Sequence, residues 1–120
     1  MGSVNTGRGD SPLGEAWLVA VGDELLLGRI ADTNSQEIAR QLTARGVAVR
    51  GVTVAGDEVA AIGRALEATP PGALVILSGG LGPTPDDLTR EAVAAWAKVP
   101  LAESPPIAAF LRRRCAARGV

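Results

Sequence analysis

The stretch that decides the fold is Ala73-Leu74-Val75-Ile76-Leu77, running directly into Ser78-Gly79-Gly80-Leu81-Gly82-Pro83-Thr84-Pro85-Asp86-Asp87. The first part is an unbroken apolar run, too short for a helix and of the kind that forms a strand buried on both faces. The second part is rich in glycine. Consecutive glycines let the backbone approach a ligand closely and turn its N–H groups toward an anion. A helix is predicted next, from about Leu88 to Ala97, with Leu88, Ala92, Ala95 and Trp96 inward. The positive end of its dipole then faces the loop.

Working outward from that unit, the pattern repeats. Ala16 to Val21 is a buried strand ended by Gly22. Asn34 to Arg45 is a helix, with Asn34 and Glu37 as a capping box, Ile38 and Leu42 on one face, and Gly46 as its stop. Val47 to Val54 is the second strand, and Asp57 is placed to cap a helix that buries Val59, Ile62 and Leu66 and ends near Ala68, before Pro70-Pro71-Gly72. Beyond the glycine loop and its helix, Ser104 and Pro105 open a last helix with the stripe Ile107, Phe110, Leu111 and Cys115, in which Cys115 reads as a core filler.

Apolar strands alternating with helices specify the α/β class, a parallel sheet covered on both faces. Right-handed crossovers favour the strand order 2-1-3, which puts a topological switch point between the first and third strands. Ligands of open α/β sheets bind there, beyond the carboxyl ends of the strands. The loops at that point are Gly22 to Ala31 and Ser78 to Asp87.

Composition narrows the chemistry. A chain of 120 residues is one domain's worth, and 47% hydrophobic with 21% charged residues is ordinary for a globular protein. A net charge of -1 gives no footprint for a nucleic-acid backbone, and 2% aromatics leaves no base-stacking surface. Without His or Tyr, and with Cys115 alone, imidazole chemistry, an internal disulfide and a multi-cysteine zinc site are all excluded. Proton transfer and metal binding fall to Asp, Glu, water or the ligand's own oxygens. No apolar stretch reaches membrane-spanning length and no signal-peptide pattern is present, so the expected location is cytoplasmic, with no membrane partner. Residues 1–14 read as a disordered leader or vector remnant, and residues 15–120 as the domain. The leader's Gly7-Arg8-Gly9-Asp10-Ser11-Pro12 matches a cell-adhesion peptide and its first residues match a loose myristoylation pattern; both are read as accidental.

The candidate ligand contacts are Ser78, Gly79, Gly80, Gly82 and Thr84 in the glycine loop, and Gly22, Asp23 and Glu24 in the first loop. Thr33, Asn34 and Ser35 read first as caps, with Thr33 and Asn34 also at a helix N-terminus able to face a second phosphate. Of Asp86 and Asp87, one can cap the helix that follows, leaving the other as a Mg²⁺ ligand or water activator. The loop is neither a Walker motif, since Lys98 lies outside it, nor a Rossmann fingerprint, since Pro85 stands where the third glycine belongs. The basic run Arg112 to Arg114 with Arg118 reads as a solvated face.

Three ordered blocks together resemble the N-terminal domain of the competence/damage-inducible CinA family, and more widely the molybdopterin-binding fold of the MoaB/Mog proteins. They are Val21-Gly22-Asp23-Glu24-Leu25-Leu26-Leu27-Gly28, Asp32-Thr33-Asn34-Ser35 and Ser78 to Thr89. The resemblance implies a three-layer α/β/α domain that binds a pterin or nucleotide diphosphate through the glycine loop. It matches Asp57 and Asp87 to two aspartates needed for adenylyl transfer in the Mog branch, and it implies divalent-metal-dependent hydrolysis of ADP-ribose-like pyrophosphates in the CinA branch; Mg²⁺ or a similar ion is then expected on Asp87 with Asp86 or Asp57. The Gly22 to Gly28 block points to the CinA branch. A Mog-like adenylyltransferase and a non-catalytic ligand-binding or assembly module linked to competence or DNA damage stand as alternatives. The resemblance also implies a homo-oligomer. Related domains continue through further elements, so this one is expected to be incomplete at its C-terminus, and no deamidase function is assigned to it.

Overall fold

The computed structural model describes residues 14–119. All of the predicted leader except Gly14, with its two short motifs, lies outside the described residues.

The elements are β1 (Glu15–Val21), α1 (Asp23–Leu26), α2 (Thr33–Ala44), β2 (Ala48–Ala55), α3 (Val59–Glu67), β3 (Leu74–Ser78), α4 (Thr89–Ala97) and α5 (Pro105–Ala117). The sheet is parallel throughout, in the expected order β2-β1-β3. β1 is central because it is apolar on both faces: Ala16, Leu18, Val19, Ala20 and Val21 are all buried. The flanking strands are only half-buried. Side chains alternate along a strand, so Val19 and Val21 point to one face. There they join Ile62, Ala65 and Leu66 of α3 and Ala92 of α4, with Val75 and Leu77 of β3 packed alongside. Ala16, Leu18 and Ala20 point to the other face, where α2 lies against β1 and β2. Helices on both faces give the three layers.

One irregularity sits at the start of the β1–β2 pairing, where Ala16 faces Val49 but Trp17 faces Gly51, so β2 carries an extra residue, Arg50. The Trp17 indole occupies the space above Gly51, where any Cβ would overlap the ring. Its N–H donates to Thr53 Oγ at 3.3 Å.

Three expectations about helix faces are corrected. α3 buries Ile62 and Leu66 as expected but leaves Val59, in its first turn, exposed. α4 turns Ala92 and Val93 toward α3 and leaves Ala95 and Trp96 exposed, because its packing partner is that one helix and not a broad core. The stripe on α5 is real as a pattern but uncovered: Ile107, Phe110 and Leu111 are about half exposed or more, and Cys115 is exposed and so not a core filler. Nothing among the described residues buries any residue of α5. No helix among the described residues is long and apolar enough to cross a membrane.

Candidate functional site

The carboxyl ends of β1 and β3 open onto a cleft of about 160 Å³, whose walls include Glu24 from α1, Thr33 and Asn34 from the start of α2, and Ser78 and Gly79 from the end of β3. The junction at β3 is built for glycine. Gly79 has φ 88°, and a Cβ there would overlap the carbonyl oxygen of Val21 on the neighbouring strand. Gly80 has φ 69°, and its Cβ would overlap Thr89 Oγ. A side chain at Gly80 therefore strikes the start of α4 from inside the loop.

The loop is tied down by the residues that open α4. Buried Thr89 donates its hydroxyl to Gly79 O at 2.7 Å and its backbone N–H to Gly80 O at 3.2 Å. Arg90 donates through Nη1 to Leu81 O at 2.9 Å and through Nη2 to Gly82 O at 3.3 Å. Sequence reading assigned neither residue to the site. The signal available was the direct abutment of Thr89 and Arg90 on the loop.

Neither Asp86 nor Asp87 caps α4, whose N-cap position is Leu88, without a side-chain cap. Asp87 instead closes a turn within its own loop, where Oδ2 accepts from Thr84 N–H at 3.0 Å and from Thr84 Oγ at 2.6 Å. Those two bonds, then the Gly82 backbone and the Arg90 charge, hold the Asp87 carboxyl below its ordinary range. It is charged throughout the neutral range, and its Oδ1 is left free of side-chain partners among the described residues.

Asp57 does not cap α3 either; the N-cap is Glu58, with no side-chain bond. Asp57 is held by Asp23 in a reciprocal pair: Asp23 N–H donates to Asp57 Oδ2 at 3.1 Å, and Asp57 N–H donates to Asp23 Oδ1 at 2.9 Å. The cause is proximity of the two strand ends, fixed by Gly22 N–H donating to Ala55 O at 2.9 Å. This pair ties α1 to the β2–α3 turn. Asp57→Ala is expected to lower unfolding free energy by about 1 kcal/mol, the usual worth of one hydrogen bond, while Asp57→Asn keeps an acceptor and stays near the parent in urea denaturation.

At α2 the cap is Asp32, whose Oδ1 accepts from Ser35 N–H at 3.1 Å, so Asn34 lies inside the first turn and forms no capping box. Asp is among the strongest cap formers, and the spacing to Ser35 suits it.

The structure thus distributes the sequence-derived candidates over three neighbourhoods. Glu24, Thr33, Asn34, Ser78 and Gly79 line the cleft. Asp23 pairs with Asp57 beside Gly22. Gly80, Gly82, Thr84, Asp86 and Asp87 belong to the loop over α4. Among the described residues no group of three or more His, Cys, Asp or Glu is gathered to hold a metal ion. The donor set suits a cation that takes one or two carboxylates from the protein and the rest of its oxygens from phosphates and water, which is how Mg²⁺ is commonly held.

Comparison with known proteins places this geometry. Residues 17–119 match the family described as "Probable molybdopterin binding domain". The chain is 47% identical over 105 residues to a CinA-like protein of Deinococcus radiodurans, covering 87% of this chain and 26% of that one. It is 43% identical over 106 residues to a CinA-like protein of Picosynechococcus, covering 87% and 25%. It therefore spans about a quarter of the length of these curated relatives. Among solved structures it resembles the protein CinA of Thermoplasma acidophilum, described as of unknown function, with TM-score 0.80 and 35% identity over 85% of this chain and 61% of that one. A molybdopterin biosynthesis protein from Mycobacterium abscessus follows at TM-score 0.64 and 30% identity, covering 91% and 68%.

Proposed function

The chain belongs to the molybdopterin-binding domain family, and we propose that within it this domain binds a nucleotide diphosphate through the glycine loop and hydrolyses ADP-ribose-like pyrophosphates with a divalent cation. The observation that carries this reading is a charged carboxylate, Asp87, held beside a glycine loop whose carbonyls are fastened to the start of α4. A carboxylate with lowered proton affinity is a poor proton acceptor and a good cation ligand. Asp87 is accordingly assigned to cation binding through Oδ1, which the Thr84 bonds leave open, with Asp86 as the second oxygen source.

In this reading the loop amides orient the diphosphate, with the cleft residues Glu24, Thr33, Asn34 and Ser78 beside it for the rest of the ligand. Asp57 keeps α1 in register with the β2–α3 turn through Asp23. A divalent cation brought in on the phosphates would neutralise the charge that builds on them and acidify water nearby. Water adds to one phosphorus while the bridging oxygen leaves with the other phosphate, so ADP-ribose yields AMP and ribose phosphate. The setting is cytoplasmic, and the open outer edges of β2 and β3 in the sheet favour a homo-oligomer.

Chromatography of ADP-ribose incubated with the chain and Mg²⁺ is expected to show AMP, and EDTA is expected to abolish it. ADP-ribose that binds but is not cleaved would move the assignment to a ligand-binding module. The likeness to a molybdopterin biosynthesis protein favours adenylyl transfer as the second reading; pterin-dependent consumption of ATP without cleavage of ADP-ribose would select it.

A further inference from the structure

We propose that Thr89 and Arg90 are positioning residues that turn the glycine loop inside out for an anion, gripping its carbonyls so that its amides face the ligand. The proposal rests on the phosphate reading of the loop. Four successive carbonyls are taken: Gly79 O by Thr89 Oγ, Gly80 O by Thr89 N–H, Leu81 O by Arg90 Nη1 and Gly82 O by Arg90 Nη2. In a trans peptide the C=O and the following N–H point in opposite directions. Directing the first two of those carbonyls at α4 therefore directs the N–H groups of Gly80 and Leu81 away from it, while the Gly82 backbone is engaged by the Asp87 carboxylate. The row ends at Pro83, which has no N–H. Among the described residues, the Gly80 and Leu81 N–H groups donate to no backbone acceptor outside the regular ladders. Gly82 abuts the Asp87 carboxylate, which sets a cation position at one end of the row.

The grip has two unequal halves. Thr89 is buried and holds the two residues with positive φ, so it fixes the turn itself. Arg90 is exposed and reaches back along the loop with a fork that lysine cannot reproduce. Two of its five N–H donors are taken by carbonyls, and the role assigned to it is to set the loop's shape.

The test uses the full chain, nitrogen-15 NMR and inorganic pyrophosphate with Mg²⁺ as the probe. Arg90→Gln is expected to raise Kd for pyrophosphate about tenfold, with melting unchanged within a few degrees, and to loosen the Gly79 to Gly82 amides on the fast timescale. Arg90→Lys separates the two ways arginine can act. It keeps the charge and loses the fork, so positioning requires it to behave nearly as Arg90→Gln does. Thr89→Val is expected to loosen the same amides, and Thr89→Ser to restore them. Parent-like binding in Arg90→Lys, or unchanged loop amides in both Arg90→Gln and Thr89→Val, would overturn the proposal. If the parent itself does not bind pyrophosphate, the phosphate reading falls, while the order of the loop amides in the same variants still decides whether the grip exists.

Discussion

Gly79→Ala is expected to be the most destabilising single-methyl addition in this domain. Two costs add at that position. An alanine forced into the left-handed region loses about 1–2 kcal/mol on backbone grounds alone. Its methyl would also overlap the Val21 carbonyl oxygen, a backbone atom at the end of the central strand. That atom cannot retreat without disturbing the β1–β3 pairing, which runs as far as Ala20 and Ser78. A useful control is Gly72→Ala, where φ is 83° but the space around the new methyl is open, so only the backbone cost applies. In a domain of this size each kcal/mol moves the melting point by roughly 4–8 °C. Gly79→Ala is therefore expected to melt about 10 °C or more below the parent, and well below Gly72→Ala. Equal melting of the two alanine variants would show that the β3 junction tolerates a side chain after all.

The second large effect is on turnover. Asp87→Asn is expected to abolish most Mg²⁺-dependent cleavage of ADP-ribose and leave the fold intact. Both Thr84 donors land on one oxygen, Oδ2, so an asparagine carbonyl can take both bonds and preserve the turn. What it cannot supply is the negative charge. Since the carboxyl is held below its ordinary range, activity carried by its charge is insensitive to pH across the neutral range and fails only in acid as the group protonates. Asp87→Ala is less informative, because it removes the turn and the charge together. Parent-level turnover in Asp87→Asn, measured by AMP release beside an unchanged melting curve, would return Asp87 to a purely local role in the loop.

The sheet was legible because its signals are local and strong. Unbroken apolar runs at Ala16–Val21 and Ala73–Leu77, each followed within two residues by glycine, fix strand positions, and handedness then leaves the order β2-β1-β3. The caps were less legible because several residues competed for each one. Asp32, Thr33, Asn34 and Ser35 are all cap formers, and only the backbone at Asp32 decides among them. Asp57 and Asp87 sit where caps belong, yet each finds a nearer partner, in Asp23 and Thr84 respectively. The first of those partners is 34 residues away in sequence, beyond the reach of any local pattern. The grip of Arg90 was invisible for a different reason: a charged residue in the first turn of a helix ordinarily reads as solvated, and its acceptors are backbone carbonyls that every sequence possesses. The α5 stripe shows the converse, since periodicity marks an apolar face without saying what covers it.

The Trp17–Gly51 contact carries a constraint on how the sequence can drift. Any residue but glycine at 51 would place its Cβ in the indole ring, and a small residue at 17 would leave a hollow over Gly51 and deprive Thr53 of its N–H donor. Neither site can therefore change alone without a penalty, though both together can: a shrunken 17 with an enlarged 51 fills the same volume from the opposite strand. Because this pair sits beside the extra residue in β2, such an exchange would also bear on the register of the sheet at the bulge.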